Sequence, residues 1–166
     1  MVFFSASAEF FDDILILAGK VGSNIASELG TMRVTQQIDA LDIMGVNSAS
    51  YLILPKILGL VTIMPFLVIF SSAMGIIGAY ATAYIGHILS PEDLTLGIQH
   101  SFNSWFMWMS IVKSLFFAFI IASVSSYFGY TVDGGSVEVG KASTDAVVSS
   151  SVLILFSDVF LTQVLS

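Results

Sequence analysis

Two ionisable side chains, Lys113 and Asp158, stand alone inside long apolar segments of the sequence. Charged groups within a membrane are energetically costly and mark candidate functional positions. About 22 Å of helix would separate Lys113 from Phe128 at one end of its segment, and about 20 Å would separate Asp158 from Asp145. These matched depths predict that the two side chains can pair. The pair could be a structural ion pair, a polar spot lining a substrate cavity, or both.

A polar segment, residues 31–45 (TMRVTQQIDALDIMG), is the second candidate for function. Thr35 is predicted to be the N-cap of a short helix from Gln36 to Met44 that Gly45 ends. A helix of this length is too short to be stable alone, so it must dock on another surface. Helices that lie on lipid are usually rich in Lys and Arg, whereas this segment carries two acids beside a single arginine, which favours a protein partner. The residues assigned to docking are Arg33, Thr35, Gln36, Gln37, Asp39, Ala40, Leu41 and Gly45, with Val34, Ile38 and Leu41 on one apolar face.

Several familiar motifs are absent from the sequence. Gly19-Lys20 does not form a phosphate-binding loop because Val21 follows the lysine, so any nucleotide must bind another chain. His87 and His100 lack the helical spacing of metal ligands and are interpreted as loop residues. The chain contains no cysteine, which excludes disulfides, thiolate zinc sites and thiol chemistry. We therefore predict no catalytic residue, metal site or cofactor in this chain.

The composition indicates that these residues belong to a membrane protein. Hydrophobic residues make up 56% of the 166 residues and charged residues only 10%, whereas a soluble domain carries roughly 25% charged residues. The mean hydropathy of +0.93 excludes a cytosolic enzyme. The net charge of −7 argues against nucleic-acid binding, which needs a basic surface. We expect an all-α integral membrane protein in which residues 1–166 form one domain.

About four transmembrane helices are predicted, the first of them partial. They cover residues 14–29, 57–85, 105–128 and 146–165. Ser90-Pro91-Glu92-Asp93 has the residue order of a helix N-terminus and predicts a short interfacial helix from Pro91 to His100. Residues 129–145 are predicted to be a loop around Asp133-Gly134-Gly135.

Basic residues predict the orientation of the spans. Lys20, Arg33 and Lys56 flank the first connection and Lys141 lies in the third, whereas the second connection has no lysine or arginine. The positive-inside rule therefore puts the first and third connections in the cytoplasm and the interfacial helix outside.

Two stripes of small residues predict close helix packing. Small residues spaced by four let membrane helices approach one another closely. The two stripes could pack helices within one chain, or they could form the interface between two copies of the chain. The stripes are Ala18, Gly22, Ala26 and Gly30, and Ser71, Gly75, Ala79 and Ala83.

The block from Ala18 to Lys56, AGKVGSNIASELGTMRVTQQIDALDIMGVNSASYLILPK, closely resembles the signature of MlaE/YrbE-type permeases. IVKSLFFAF, SYFGY and SDVFLTQVL resemble the last two spans of that family. The resemblance implies an inner-membrane permease subunit of an ABC transporter that moves phospholipid or other lipid. It also implies a second copy of the chain, partner ATPase subunits that bind ATP and Mg²⁺, and an MCE-domain protein on the outer side. The short helix of residues 36–44 would then be the coupling helix that contacts the ATPase.

Two departures from the family pattern bear on this interpretation. Family members carry an interfacial elbow helix and further spans before this point, and residues 1–13 do not resemble that region, so we expect a truncated or fragmentary chain. Gln36 and Gln37 stand where the family often has acidic residues. Two other functions stay open: a membrane scaffold that does not transport, and a proton-coupled secondary transporter that uses Lys113 and Asp158.

Overall fold

A computed structural model describes residues 14–86 and 104–165, and these residues form helices joined by short turns. Helix α1 covers residues 14–34 and contains a π-helical turn, Ala18–Gly22, followed by a regular α-helix, Ser23–Val34. The remaining helices are α2 (Gln37–Ile43), α3 (Ser48–Gly86), α4 (Ser104–Tyr130) and α5 (Ser136–Leu165). No strand occurs among the described residues. The predicted interfacial helix from Pro91 to His100, and both histidines, lie outside the described residues.

Three helices are long and apolar enough to cross a membrane: Ser48–Thr82 in α3, Trp108–Tyr130 in α4 and Ser136–Val164 in α5. This confirms the predicted class, an all-α membrane protein. Residues 14–29, the predicted partial span, belong to α1, which does not meet the same criteria.

The helices extend beyond the predicted apolar spans. Helix α3 begins at Ser48 instead of residue 57 and continues through Pro55 and Pro65. Helix α5 begins at Ser136, so the loop predicted for residues 129–145 is confined to residues 131–135. The reason is that a count of apolar residues detects only the part of a helix that matches the hydrocarbon. The polar first turns of α5 lie outside the hydrocarbon but belong to the same helix, and Glu138 in the first turn is favourable at a helix N-terminus.

Helices α1, α4 and α5 pack against one another, and α3 packs along α4. The buried side chains at the centre come from all four helices, which shows that α3 closes the bundle on one side. The central cluster is Ile14, Ala18, Met64, Phe117, Ala118, Ile121 and Ile154.

The first stripe of small residues lies inside this bundle. Ala18, Gly22, Ala26 and Gly30 are all buried. A Cβ atom added at Gly30 would lie 3.1 Å from Val139 Cγ1, so α1 and α5 are already in close contact there. Of the two interpretations of this stripe, packing within one chain is therefore the one that the structure shows, and the face is not open to a second copy.

The second stripe lies on the other side of the molecule. Ser71 and Gly75 of α3 are exposed, and no heavy atom lies within 4 Å of a Cβ built at Gly75. Ala79 and Ala83 belong to the same helix. Ser71 and Gly75 therefore mark an exposed face of α3.

Several helix ends meet at one end of the bundle, which we call the polar end. The contacts there involve parts of all five helices: the last residues of α1, helix α2, the start of α3, the last residue of α4 and the start of α5. The contacts that define the polar end are Arg33 over the Tyr130 ring, Ser48 with Tyr130, and Gly30 beside Val132 and Val139.

Candidate functional site

The predicted docking helix is present at the polar end and is one residue shorter at each end than predicted. It runs from Gln37 to Ile43 rather than from Gln36 to Met44. The prediction that Thr35 is its N-cap is wrong, because the helix begins at Gln37 and the N-cap position is occupied by Gln36. Thr35 ends α1 instead, and its Oγ1 donates to the Thr31 carbonyl oxygen at 2.8 Å. Gln36 instead precedes α2, with no side-chain cap.

Gln36 connects α1 and α2 in a strained backbone conformation. Its φ of 59° and ψ of 17° lie in the left-handed region, where only Gly avoids a clash of the Cβ atom. Among the described residues it is the one non-glycine position with positive φ. This conformation lets the chain turn from α1 into α2 with only Thr35 and Gln36 between the two helices.

Gly45 ends α2, as predicted. Its φ is 78°. The Gly45 amide donates to the Asp42 carbonyl at 3.0 Å, and the Val46 amide donates to the Leu41 carbonyl at 3.1 Å. This pair of hydrogen bonds is a Schellman motif, which uses the free carbonyls at the helix end.

The two faces of α2 differ in burial. Ile38 is fully buried and Leu41 is half-buried, so the predicted apolar face points into the protein. Ala40 is exposed, as are the predicted docking residues Gln37 and Asp39. At the end of the segment, Ile43 is 87% exposed and Met44 is 68% exposed. An apolar pair therefore lies on the surface of the polar end, beside exposed polar residues.

Two polar contacts fasten α2 to the helices on either side of it. The Arg33 guanidinium of α1 pairs with the Asp39 carboxylate at 2.7 Å. The Ser48 amide at the start of α3 donates to the Asp42 carboxylate at 3.4 Å. Asp42 therefore caps α3, and the short helix is held at both of its carboxylates.

Tyr130 connects both of these contacts to α4. Its hydroxyl lies 2.9 Å from Ser48 Oγ, and its ring centroid lies 5.9 Å from the Arg33 guanidinium carbon. Neither Ser48 nor Tyr130 was singled out by the sequence. A buried serine at a helix start and a tyrosine at a helix end carry no spacing signal when they are far apart in the chain.

A second ion pair joins α1 to α3 near the same end. Lys56 Nζ lies 2.6 Å from Glu28 Oε2, and the Glu28 side chain is 61% exposed. An exposed pair of this kind contributes little stability. Its geometry does show that Lys56 connects α3 to α1.

Lys113 and Asp158 form the ion pair that their depths predict. Lys113 Nζ lies 2.9 Å from Asp158 Oδ1, and the two side chains are 12% and 32% exposed. The ammonium also donates to Thr162 Oγ1 at 2.7 Å, and Thr162 donates in turn to the Asp158 carbonyl at 2.6 Å. Thr162 was missed by the sequence analysis, although it lies one helical turn after Asp158 on α5. The three residues form one hydrogen-bonded group between α4 and α5.

Two surface cavities in the described residues both lie away from this pair. The larger is an open apolar groove of about 490 Å³ on α3, lined by Ile63, Phe66, Leu67, Ile69, Phe70 and Ala73. The smaller is a polar hollow of about 210 Å³ at the polar end, which includes Lys141 and Asp145. No group of three or more metal-ligating side chains occurs in the described part of the chain.

The fold and the site define a class of protein: an all-α membrane protein that carries a short helix, α2, at one end of its helix bundle. The chain belongs to the MlaE permease family, since the family model described as Permease MlaE matches residues 14–164.

Curated relatives agree with this family. A probable ABC transporter permease protein of Rickettsia bellii is 37% identical over 156 residues, which cover 90% of this chain and 58% of the relative. One from Synechocystis is 34% identical over 147 residues, covering 89% of this chain and 56% of the relative. The chloroplastic protein TRIGALACTOSYLDIACYLGLYCEROL 1 of Arabidopsis thaliana is 31% identical over 149 residues, covering 90% of this chain and 43% of that protein. The chain thus spans little more than half the length of the first two.

Proposed function

We propose that this chain acts as the permease subunit of an ABC transporter that moves phospholipid or a related lipid across or out of the inner membrane. Family membership and the names of the bacterial relatives support the permease role. The observation that carries the proposal is helix α2, which is anchored by buried Ile38 and leaves Ala40, Ile43 and Met44 exposed.

A separate ATPase is the proposed partner at the polar end. Apolar side chains that are exposed together on a surface are typical contact points for another protein. Ile43 and Met44 would supply the apolar contact, and Gln37 and Asp39 the polar edge of the same surface. ATP and Mg²⁺ would be bound by the ATPase, and closure of the ATPase would displace α2. This chain would contribute movement and a lipid path, without hydrolytic chemistry of its own.

Lys113 is the proposed contact for the lipid headgroup. An ammonium has three N–H donors, and Asp158 and Thr162 accept two of them here. A lipid phosphate could accept the third while Asp158 keeps the ammonium charged and oriented. The name of the Arabidopsis relative contains a galactolipid, which supports a lipid as the class of substrate.

The proposed assembly contains two copies of the chain, with an MCE-domain protein on the outer side. The exposed face of α3 with Ser71 and Gly75 is available for the second copy, whereas the stripe with Gly22 is occupied by the chain's own helices. Close approach at small residues is the usual means of association where no hydrophobic force acts between membrane helices.

The docking of the ATPase is tested by Ala40→Arg. Ala40 is exposed on α2, so the substitution adds a large charged side chain to the surface without filling the core. The transporter would be purified with its ATPase and reconstituted in vesicles, and ATP-driven movement of a fluorescent phospholipid would be measured. We expect loss of both ATPase co-purification and lipid movement, with normal insertion of the permease.

Val137→Arg is the matched control. Val137 is 80% exposed and also lies at the polar end, in the first turn of α5. It should leave co-purification and lipid movement near the level of the unmodified chain. Normal ATPase binding by Ala40→Arg would contradict the docking role of α2. Lipid movement that follows a proton gradient without ATP would instead favour secondary transport.

A further inference from the structure

Tyr130 contacts both residues that fasten helix α2. Its hydroxyl is 2.9 Å from Ser48 Oγ, and its ring lies against the Arg33 guanidinium. The Ser48 backbone amide in turn donates to the Asp42 carboxylate, and the Arg33 guanidinium pairs with the Asp39 carboxylate. Both carboxylates belong to α2. Tyr130 therefore reaches each of the two α2 carboxylates through one intervening residue, Ser48 or Arg33.

The contact between Tyr130 and Ser48 is shielded from water. Ser48 is only 1% exposed, and Tyr130 is half-buried. A hydrogen bond in such surroundings is stronger than the same bond in water, and leaving either hydroxyl unpaired is costly. Helix α2 itself packs mainly on α1 and α3. The Tyr130 contacts thus link the residues that hold α2 in place to a third helix, α4.

We propose that Tyr130 is a positioning residue that transmits a displacement of α2 to α4, and so to Lys113. This inference rests on the proposed function, in which an ATPase displaces α2. Helix α4 runs without interruption from Lys113 to Tyr130, about 25 Å of continuous helix. Because an unbroken helix is stiff over that distance, a shift at Tyr130 moves the part of α4 that carries Lys113 relative to Asp158 of α5. Tyr130 itself touches no lipid and no nucleotide in this mechanism.

Two substitutions separate the two contacts of Tyr130. Tyr130→Phe removes the hydroxyl that meets Ser48 and keeps the ring against Arg33. Tyr130→Leu removes both. Ser48→Ala removes the same hydrogen bond from its other end, so the combination of Ser48→Ala with Tyr130→Phe should be no worse than either change alone. Tyr127→Phe is the control, because it makes the same chemical change one turn earlier on α4 at a side chain that is 64% exposed.

The first measurement needs no partner and follows hydrogen exchange of the amides of residues 40–44 in the detergent-purified chain. Tyr130→Phe should speed this exchange about fivefold, the effect of one net hydrogen bond. Tyr130→Leu should speed it about threefold further through loss of the cation–π contact. Tyr127→Phe should leave it unchanged. Equal exchange in Tyr130→Phe and the unmodified chain would overturn the proposed link.

The second measurement compares lipid moved with ATP hydrolysed in vesicles that contain the transporter and its ATPase. Tyr130→Phe should lower the lipid moved per ATP about fivefold while the ATPase still binds. A merely structural role would lower both rates together and leave this ratio unchanged, which would overturn the inference. If the unmodified complex itself moves no lipid with ATP, the proposed function fails and the inference fails with it.

Discussion

The Ser125 hydroxyl of α4 lies directly against the backbone of Gly22 in α1. A Cβ atom placed on Gly22 would be 2.8 Å from Ser125 Oγ, and the next nearest heavy atom would be Ile121 Cγ2 at 3.7 Å. Ser125 is fully buried, and its hydroxyl has no hydrogen-bond partner in the described structure. The close packing of α1 and α4 at this point therefore depends on two small residues that face each other.

A paired substitution at this contact has a predictable sign. Gly22→Ala should destabilise the protein because the new methyl group meets Ser125 Oγ. Ser125→Ala alone should stabilise it by about 1 kcal/mol, since it removes a buried unpaired hydroxyl. Gly22→Ala should then be tolerated in the Ser125→Ala background. Thermal unfolding of the three variants in one detergent checks this. Equal destabilisation by Gly22→Ala in both backgrounds would contradict the contact.

The Lys113–Asp158 pair predicts different results for single and double substitutions. Lys113→Met or Asp158→Leu alone leaves an unpaired charge inside an apolar span, which should cost about 3 kcal/mol. The double variant should regain thermal stability, because no unpaired charge remains. If Lys113 binds the lipid headgroup as proposed, the double variant should still fail to move lipid. Normal transport by the double variant at equal expression would show that the pair is structural only.

The left-handed backbone at Gln36 predicts a stabilising glycine. Gln36→Gly should relieve the clash of the Cβ atom and stabilise the α1–α2 connection by about 1 kcal/mol. Ala40→Gly is the control within α2, where glycine should instead destabilise the helix by about 1 kcal/mol. Hydrogen exchange of the α2 amides reports both changes. Faster exchange in Gln36→Gly would mean that the Gln36 side chain contributes more than its backbone strain.

The exposed face of α3 predicts the position of the seam in the proposed dimer. Single cysteines at Ser71 and Gly75 should form crosslinks between two chains in the membrane. Cysteines at Gly22 and Ala26 should not, because both positions are buried within one chain. The native sequence contains no cysteine, so any crosslink comes from the introduced residue. Crosslinking at Gly22 would place the seam on the opposite side of the bundle.

Features with a local or periodic signal could be predicted from the sequence. The inward position of Ile38 follows from helical spacing, and the role of Gly45 follows from the preference for glycine after a helix. The encounter of Lys113 with Asp158 follows from equal depths in neighbouring spans, since few positions inside a membrane can accommodate a charge. In each case one physical rule limits the possible arrangements strongly.

Features that depend on contacts between distant parts of the chain could not be predicted. Ser48 and Tyr130 are separated by 82 positions, and each is an ordinary residue in its local sequence. Thr35 has a local signal that favours two structures, a cap for the next helix or a bond back to its own helix, and the fold selects the second. The small residues of α1 predict close packing but do not identify the neighbour. Only the three-dimensional arrangement identifies it as α4 and α5.

The π-helical turn at Ala18–Gly22 has a geometric consequence for α1. In a regular α-helix a repeat of four residues drifts by about 40° per step, so four such residues would spiral through about 120°. A π turn has more residues per turn and rotates less for each residue, which corrects part of this drift. Ala18, Gly22, Ala26 and Gly30 consequently stay closer to one face of α1 than in a regular helix, and all four are buried. The wider turn thus acts as a partial phase correction that reduces the spiral of small residues against the neighbouring helices.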